Sequence, residues 1–329
     1  MLPRLKDRKI LFFGFSVTEE NHGYVFELKR RYRDKINVES KAIGGLALWA
    51  VPYILDNLAL ENFDEVIFEV STCLRYSESD PQRYIDDLSY ILSYCCAKNI
   101  AIRFLQLYRG DVNYGADKLS QVVTDFCASH NLIEISLIDE MKGLDAAGTL
   151  PDYLRDGTHT SPKGATLYAN AIFKSLNTCS NQVKDYNPFF NVTKSFISLD
   201  NCSLLESTGK FERRNIEFAT FDIAEGCKFK VVVPGNCAIV GVWYVKGPRS
   251  GILEASLNGK SYHKIIGYDQ FSYYSRYTVW KVPKPSVSEM TMFHTQIQPS
   301  TKLVKGERYE GKRETSICGL LVDRKITEM

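Results

Sequence analysis

Short apolar runs alternate with longer stretches of helical periodicity along the first half of the chain. Residues 10–13 form an apolar run, and Tyr24, Val25, Leu28 and Tyr32 then fall on one face of a helix. Residues 37–42 read as a second strand. Residues 46–60 are helical in pattern, with Pro52 near a helix start or a kink. Residues 66–70 read as a third strand, apolar but for Glu69, and 81–98 as a helix with Ile85, Leu88, Ile91, Leu92 and Cys95 on one side. A strand at 100–105, a helix at 117–130, a strand at 132–138 and a closing helix at 163–176 complete the series. Such alternation predicts an α/β fold, a parallel sheet with helices on both faces. Ligands on these sheets bind beyond the carboxyl ends of the strands, so the strand-to-helix loops are where chemistry is expected.

The pattern changes after about residue 177. A polar stretch looks like a linker, and β-rich runs follow at 229–233, 238–245, 252–257, 273–281 and 317–322. Turn signals separate them: Pro234-Gly235-Asn236, Gly247-Pro248 and Asn258-Gly259, the last a two-residue hairpin signal. The expected organisation is an α/β domain over 1–178, a linker over 179–188 and an all-β sandwich or jelly roll over 189–329. A length of 329 residues suits two domains.

Composition removes several classes of function. With 44% hydrophobic and 24% charged residues the chain is an ordinary globular one, not a disordered or fibrous one. Lys+Arg 41 against Asp+Glu 39 leaves a net charge of +2, too little for a phosphate-tracking groove, so no nucleic-acid partner is expected. No apolar run approaches a membrane span, and the run after the basic residues 1–9 is too short for a signal-peptide core. Nine cysteines, scattered and without a C-x-x-C pair, suit reduced thiols in a cytoplasmic protein better than a zinc site or a disulfide scaffold. Asn191-Val-Thr and Asn201-Cys-Ser match a glycosylation pattern, read as chance without a secretion signal.

Two loops carry candidate chemistry. Gly14-Phe15-Ser16 follows the first strand directly, where a sheet of this type presents a nucleophile; taken alone, Ser16 could equally be a helix cap or a turn residue. Asp156-Gly-Thr-His159 lies just before the closing helix, with Ser161 as a cap and Pro162 at its first position. A serine nucleophile needs a base to take its proton, and the base needs an orienter. An aspartate and a histidine three residues apart on one loop can supply both. His22, His130, His263 and His294 lack ligand-like spacing, so no metal is expected. Neither Asn258-Gly-Lys-Ser261 nor the glycines at 306 and 311, with Arg313 where a Ser or Thr is needed, makes a phosphate loop. Glu19 and Glu20 read as the first turn of the helix after Ser16, although they could reach the cleft. The aromatics Trp243, Tyr244, Tyr262, Tyr268, Phe271, Tyr273, Tyr274, Tyr277 and Trp280 read mainly as β-sandwich core; Tyr273 and Tyr274, if on a strand, would face opposite ways.

Together these motifs resemble the SGNH (GDSL-like) hydrolase superfamily over about residues 8–177. Gly14-Phe15-Ser16 matches its first block, Gly44 or Gly45 its second and Asp156 to His159 its last. The resemblance implies a three-layer αβα domain with Ser16 as nucleophile, His159 as base and Asp156 as orienter. It also implies an oxyanion hole from the backbone N–H groups of Ser16 and of Gly44 or Gly45. Two positions depart from the pattern. Phe15 stands where the family has Asp. The third block, normally Gly-x-Asn-Asp, is replaced by Glu69-Val-Ser-Thr-Cys73, so Ser71 or Thr72 is the candidate donor in place of the asparagine, with Arg75 nearby. The expected activity is removal of O-acetyl groups from a carbohydrate through an acyl-enzyme, with no cofactor or metal. An O-acetyltransferase on the same triad, with acetyl-CoA as donor, and a catalytically weak glycan-binding protein are the alternatives.

Overall fold

The computed structural model describes residues 4–326 apart from 75, 77, 78, 179–185, 187, 189, 200–207 and 284–286. Most of the expected linker, and Arg75, lie outside the described residues. The chain divides into two compact units, one of 1–188 with 214–216 and one of 189–213 with 217–329.

The first unit holds a five-stranded sheet ordered β2-β1-β3-β4-β5, all parallel. Its strands are β1 (Lys9–Gly14), β2 (Asn37–Ala42), β3 (Glu65–Glu69), β4 (Ala101–Gln106) and β5 (Glu134–Ser136). β1 lies inside the sheet and is buried from Ile10 to Gly14, which is why it reads as a continuous apolar run. Its residues alternate between two cores. Ile10 and Phe12 meet Val25 and Leu28 of α2 (Tyr24–Tyr32) and Tyr168 and Ile172 of α7 (Pro162–Leu176). On the opposite face Phe13 packs on Phe68, and Phe104 of β4 on Phe126 of α5 (Lys118–Ser129), with α4 (Pro81–Ala97) beside α5. The α/β sheet covered on both faces is therefore as expected.

Two details differ. Residues 46–60 form no single helix but a chain of short turns around α3 (Val51–Ile54), the last two of which are separated by the left-handed Ala59 (φ 49°). The strand expected at 132–138 shrinks to β5, and α6 (Ile138–Ala146) follows it at once.

The second unit is a β-sandwich. Its strands are β6 (Val192–Ser198), β7 (Gly209–Arg213), β8 (Ile216–Ala224), β9 (Lys228–Val232), β10 (Cys237–Lys246), β11 (Ile252–Leu257), β12 (Ser261–Ile266), β13 (Arg276–Lys281), β14 (Glu289–His294) and β15 (Glu314–Lys325). One sheet runs β13-β10-β15-β8-β7 with β6 also paired to β15; the other runs β12-β11-β14-β9. Val242, Ile317 and Leu320 from the first sheet and Leu253, Ala255, Met290 and Met292 from the second share one core. Asn258 (φ 48°) and Gly259 (φ 70°) turn β11 into β12, closed by the Lys260 N–H on the Leu257 carbonyl at 3.0 Å, so the Asn-Gly signal marks the hairpin it predicts. Trp243, Tyr244, Tyr268 and Tyr277 are buried, as a core role requires. Tyr273 and Tyr274 are not on a strand. The Asp269 carboxylate accepts the Phe271 N–H at 2.9 Å and shapes a turn that holds this stretch off the ladder until Arg276.

Candidate active site

β1 ends at Gly14, the chain turns at the buried Phe15, and Ser16 opens the single-turn α1 (Ser16–Glu19). The Ser16 side chain thus stands at the carboxyl edge of the sheet, half-buried. The loop after β2 closes over this turn. A methyl added at Gly44 would lie 3.6 Å from the Ser16 Cα, in ordinary contact, and would need the Glu19 carboxylate to move aside. Gly45 follows at φ 75°. The backbone N–H groups of Ser16, Gly44 and Gly45 bond to no other described residue, leaving them available to an oxyanion.

The Asp–His loop is built with its own supports. Leu154 and Thr160 pair across its neck, and the Arg155 N–H donates to the His159 carbonyl at 3.0 Å. The Gly110 N–H, from the segment after β4, holds the Gly157 carbonyl at 2.6 Å. Ser161 caps α7 through its hydroxyl, which accepts the Gly164 N–H at 3.2 Å, with Pro162 in the first turn. Within this frame the Asp156 carboxylate oxygens lie 2.9 and 3.1 Å from His159 Nδ1. One of them also accepts the N–H groups of Thr158 at 2.8 Å and His159 at 2.7 Å. Partial burial works to raise the Asp156 carboxyl, but these N–H groups and the imidazole outweigh it and hold it below the usual carboxylate value. Asp156 is therefore an anchored anion that fixes the His159 ring and leaves Nε2 as the free end.

Glu20, just past α1, connects the two loops. Its carboxylate accepts the Thr160 hydroxyl at 3.1 Å and pairs with the Arg155 guanidinium. Burial pushes this carboxyl up, against the pull of Arg155, His159 and Thr160. Glu19 is the last residue of the single-turn α1 and Glu20 lies beyond it (φ −59°, ψ 132°), so the two do not begin the next helix, α2, as the sequence reading expects.

The segment after β3 is organised around Glu69, the fully buried last residue of that strand. It accepts the N–H groups of Ser71 and Thr72, each at 2.7 Å, the Thr72 hydroxyl at 2.7 Å and the Phe15 N–H at 3.4 Å. The Ser71 hydroxyl lies 3.1 Å from Glu69 and takes the Leu107 N–H at 2.7 Å. Ser71 and Thr72 are both buried, with their hydroxyls spent on Glu69 and the end of β4. Burial pushes the Glu69 carboxyl up, while Thr72 and Ser71 pull it down. Glu69 thereby ties the turn at Phe15, just before Ser16, to the end of β3. Glu69→Gln sets an amide NH2 against these donors and is expected to lower stability by about 1–3 kcal/mol, read from the urea unfolding midpoint. The cue in the sequence is a lone carboxylate inside an apolar strand. Among the described residues no cluster of three or more His, Cys, Asp or Glu is placed to hold a metal ion, and no helix is long and apolar enough to cross a membrane.

No protein-family model matches the chain, and no curated protein matches its sequence. Solved structures do resemble it. A two-domain esterase active on acetylated mannans, co-crystallised with mannopentaose, overlays with a TM-score of 0.67 at 13% identity, over 98% of this chain and 92% of that one. The two chains share a fold. An acetylxylan esterase from Geobacillus stearothermophilus overlays on 54% of this chain and 97% of its own, with a TM-score of 0.44 at 14% identity. The architecture expected from the sequence, a parallel αβα sheet followed by an all-β sandwich, is the one found.

Proposed function

We propose that the chain is a serine esterase that removes O-acetyl groups from a carbohydrate. The observation that carries this reading is the Asp156–His159 pair, an anchored carboxylate 2.9 Å from Nδ1 on a loop tied by Glu20 to the segment that follows Ser16. The carbohydrate class is supported by the two-domain esterase of the same fold, which acts on acetylated mannans.

In the proposed reaction His159 Nε2 takes the proton of the Ser16 hydroxyl as Oγ attacks the acetyl carbonyl. The carbonyl oxygen gains the charge and is received by the N–H groups of Ser16 and Gly44 or Gly45. The tetrahedral centre collapses, the C–O bond to the sugar breaks, and the imidazolium returns its proton to the departing sugar oxygen. Water, deprotonated by His159, then attacks the acetyl-serine, the bond to Oγ breaks, the imidazolium returns the proton to the Ser16 Oγ, and acetate leaves. Asp156 stays ionised throughout and stabilises the imidazolium. No cofactor or metal takes part in these steps.

The test is acetate release from an O-acetylated mannan. Wild type is expected to release acetate and Asp156→Asn to do so about 1,000- to 10,000-fold more slowly, because an amide cannot hold the productive tautomer. An Asp156→Asn variant as fast as wild type would contradict the assignment. Transfer of acetyl from acetyl-CoA to a glycan hydroxyl in place of hydrolysis would make the chain an O-acetyltransferase. Glycan binding with neither reaction would make it a binding protein.

A further inference from the structure

We propose that Glu20 is a positioning residue for the Ser16–His159–Asp156 set, fixing the Asp–His loop relative to the nucleophile turn; this rests on the acyl-enzyme reading above. The two residues it binds, Arg155 and Thr160, flank the Asp156–His159 segment on either side. Glu20 itself follows α1, the turn that Ser16 opens. One carboxylate therefore grips both ends of the loop that carries the base and the orienter, and does so from the segment that carries the nucleophile.

An ordinary surface ion pair contributes little, because solvent competes for both partners. Glu20 is not such a partner: its side chain is 10% exposed, against 59% for Arg155. Leu154 and Thr160 bury the neck of the loop it holds, but the tip is open to solvent, with Asp156 52% exposed. Its hydrogen-bonded ties besides Glu20 include the Gly110–Gly157 bond and the pairing across its neck, and neither of these two involves α1. The neck keeps the loop's shape, and Glu20 sets its place relative to Ser16. Nucleophile and base must sit within hydrogen-bond reach, and a displacement of about 1 Å costs about 100-fold in rate.

The consequence is kinetic. Loss of Glu20 leaves the site chemically complete but misaligned, which lowers kcat with little change in KM. The test compares Glu20→Ala, Glu20→Gln and Thr160→Val with wild type on p-nitrophenyl acetate, with thermal unfolding followed in parallel and Ser16→Ala as control. Glu20→Ala is expected to lose about 10- to 100-fold in kcat, with KM within about twofold. Glu20→Gln keeps an acceptor for Thr160 but not the charge for Arg155, and is expected to fall between. Thr160→Val removes one grip at nearly constant shape and carries the test if Glu20→Ala does not fold, with an expected several-fold loss in kcat and an unchanged unfolding transition. Wild-type kcat in the folded variants, or losses that track the unfolded fraction, would overturn the proposal while Ser16→Ala remains inactive. If Ser16→Ala hydrolyses the ester as fast as wild type, the acyl-enzyme reading falls and the positioning role falls with it.

Discussion

Ser16→Ala is expected to lower acetyl-ester hydrolysis at least about 1,000-fold, with the thermal unfolding transition in place. The Ser16 side chain makes no hydrogen bond to another described residue, so its loss removes chemistry and little structure. Phe15, which fixes the turn, stays buried, and Gly44 still closes over it. Without the hydroxyl no acyl-enzyme can form. On the proposed mechanism a carbonyl polarised by the backbone N–H groups of residue 16 and of Gly44 or Gly45, and a base able to activate water, would remain, the source of residual rates in serine hydrolases that lack their nucleophile. Steady-state kinetics on p-nitrophenyl acetate, with circular dichroism on the same samples, separates the two effects. Wild-type kcat in a folded Ser16→Ala variant would remove the nucleophile from the account.

The largest effect on stability is expected at the opposite edge of the sheet. Glu65 opens β3 fully buried, between Arg8 Nη1 at 3.0 Å and Arg103 Nε at 2.5 Å. The two guanidiniums also reach the end of α7: Arg8 donates to the Leu176 carbonyl at 3.2 Å and Arg103 to that of Ser175 at 3.0 Å. Cations there face the negative end of the helix dipole as well as the carboxylate. Glu65→Ala leaves two guanidiniums in the interior with no carboxylate and is expected to cost about 3–5 kcal/mol. The urea unfolding midpoint measures this. Because Glu65 lies at the amino end of β3 and Ser16 follows the carboxyl end of β1, the fraction that remains folded is expected to keep its kcat. A Glu65→Ala protein as stable as wild type would show that solvent reaches these cations.

The contrast between these sites shows what a sequence displays and what it hides. β1 and the helices α2, α4, α5 and α7 are legible because each buries one face, or in a central parallel strand both, and burial leaves a period in the chain. β14 also carries such a period, since Met290, Met292 and His294 are buried, but it is short and loses to the turn residues around it. β7 is polar and largely exposed and leaves no hydrophobic trace. The Asp156–His159 pair is visible because both residues lie on one loop, three positions apart. The supporting roles of Glu20 and Glu69 do not show in the sequence. Glu20 meets partners 135 and 140 positions away, a pairing that only the folded chain reveals. Glu69 does show a cue, a carboxylate in an apolar strand, but its reason lies in the donors of Phe15, Ser71 and Thr72 that the fold gathers around it. Ser71 and Thr72 follow the same logic, since the fold spends both on holding Glu69.

The central claim is that Ser16 is an activated nucleophile, and fluorophosphonate labelling followed by intact-mass analysis of wild type and Ser16→Ala tests it most directly. One phosphonyl adduct on wild type and none on Ser16→Ala is the predicted result. No adduct on wild type, or an equal adduct on both proteins, would contradict it.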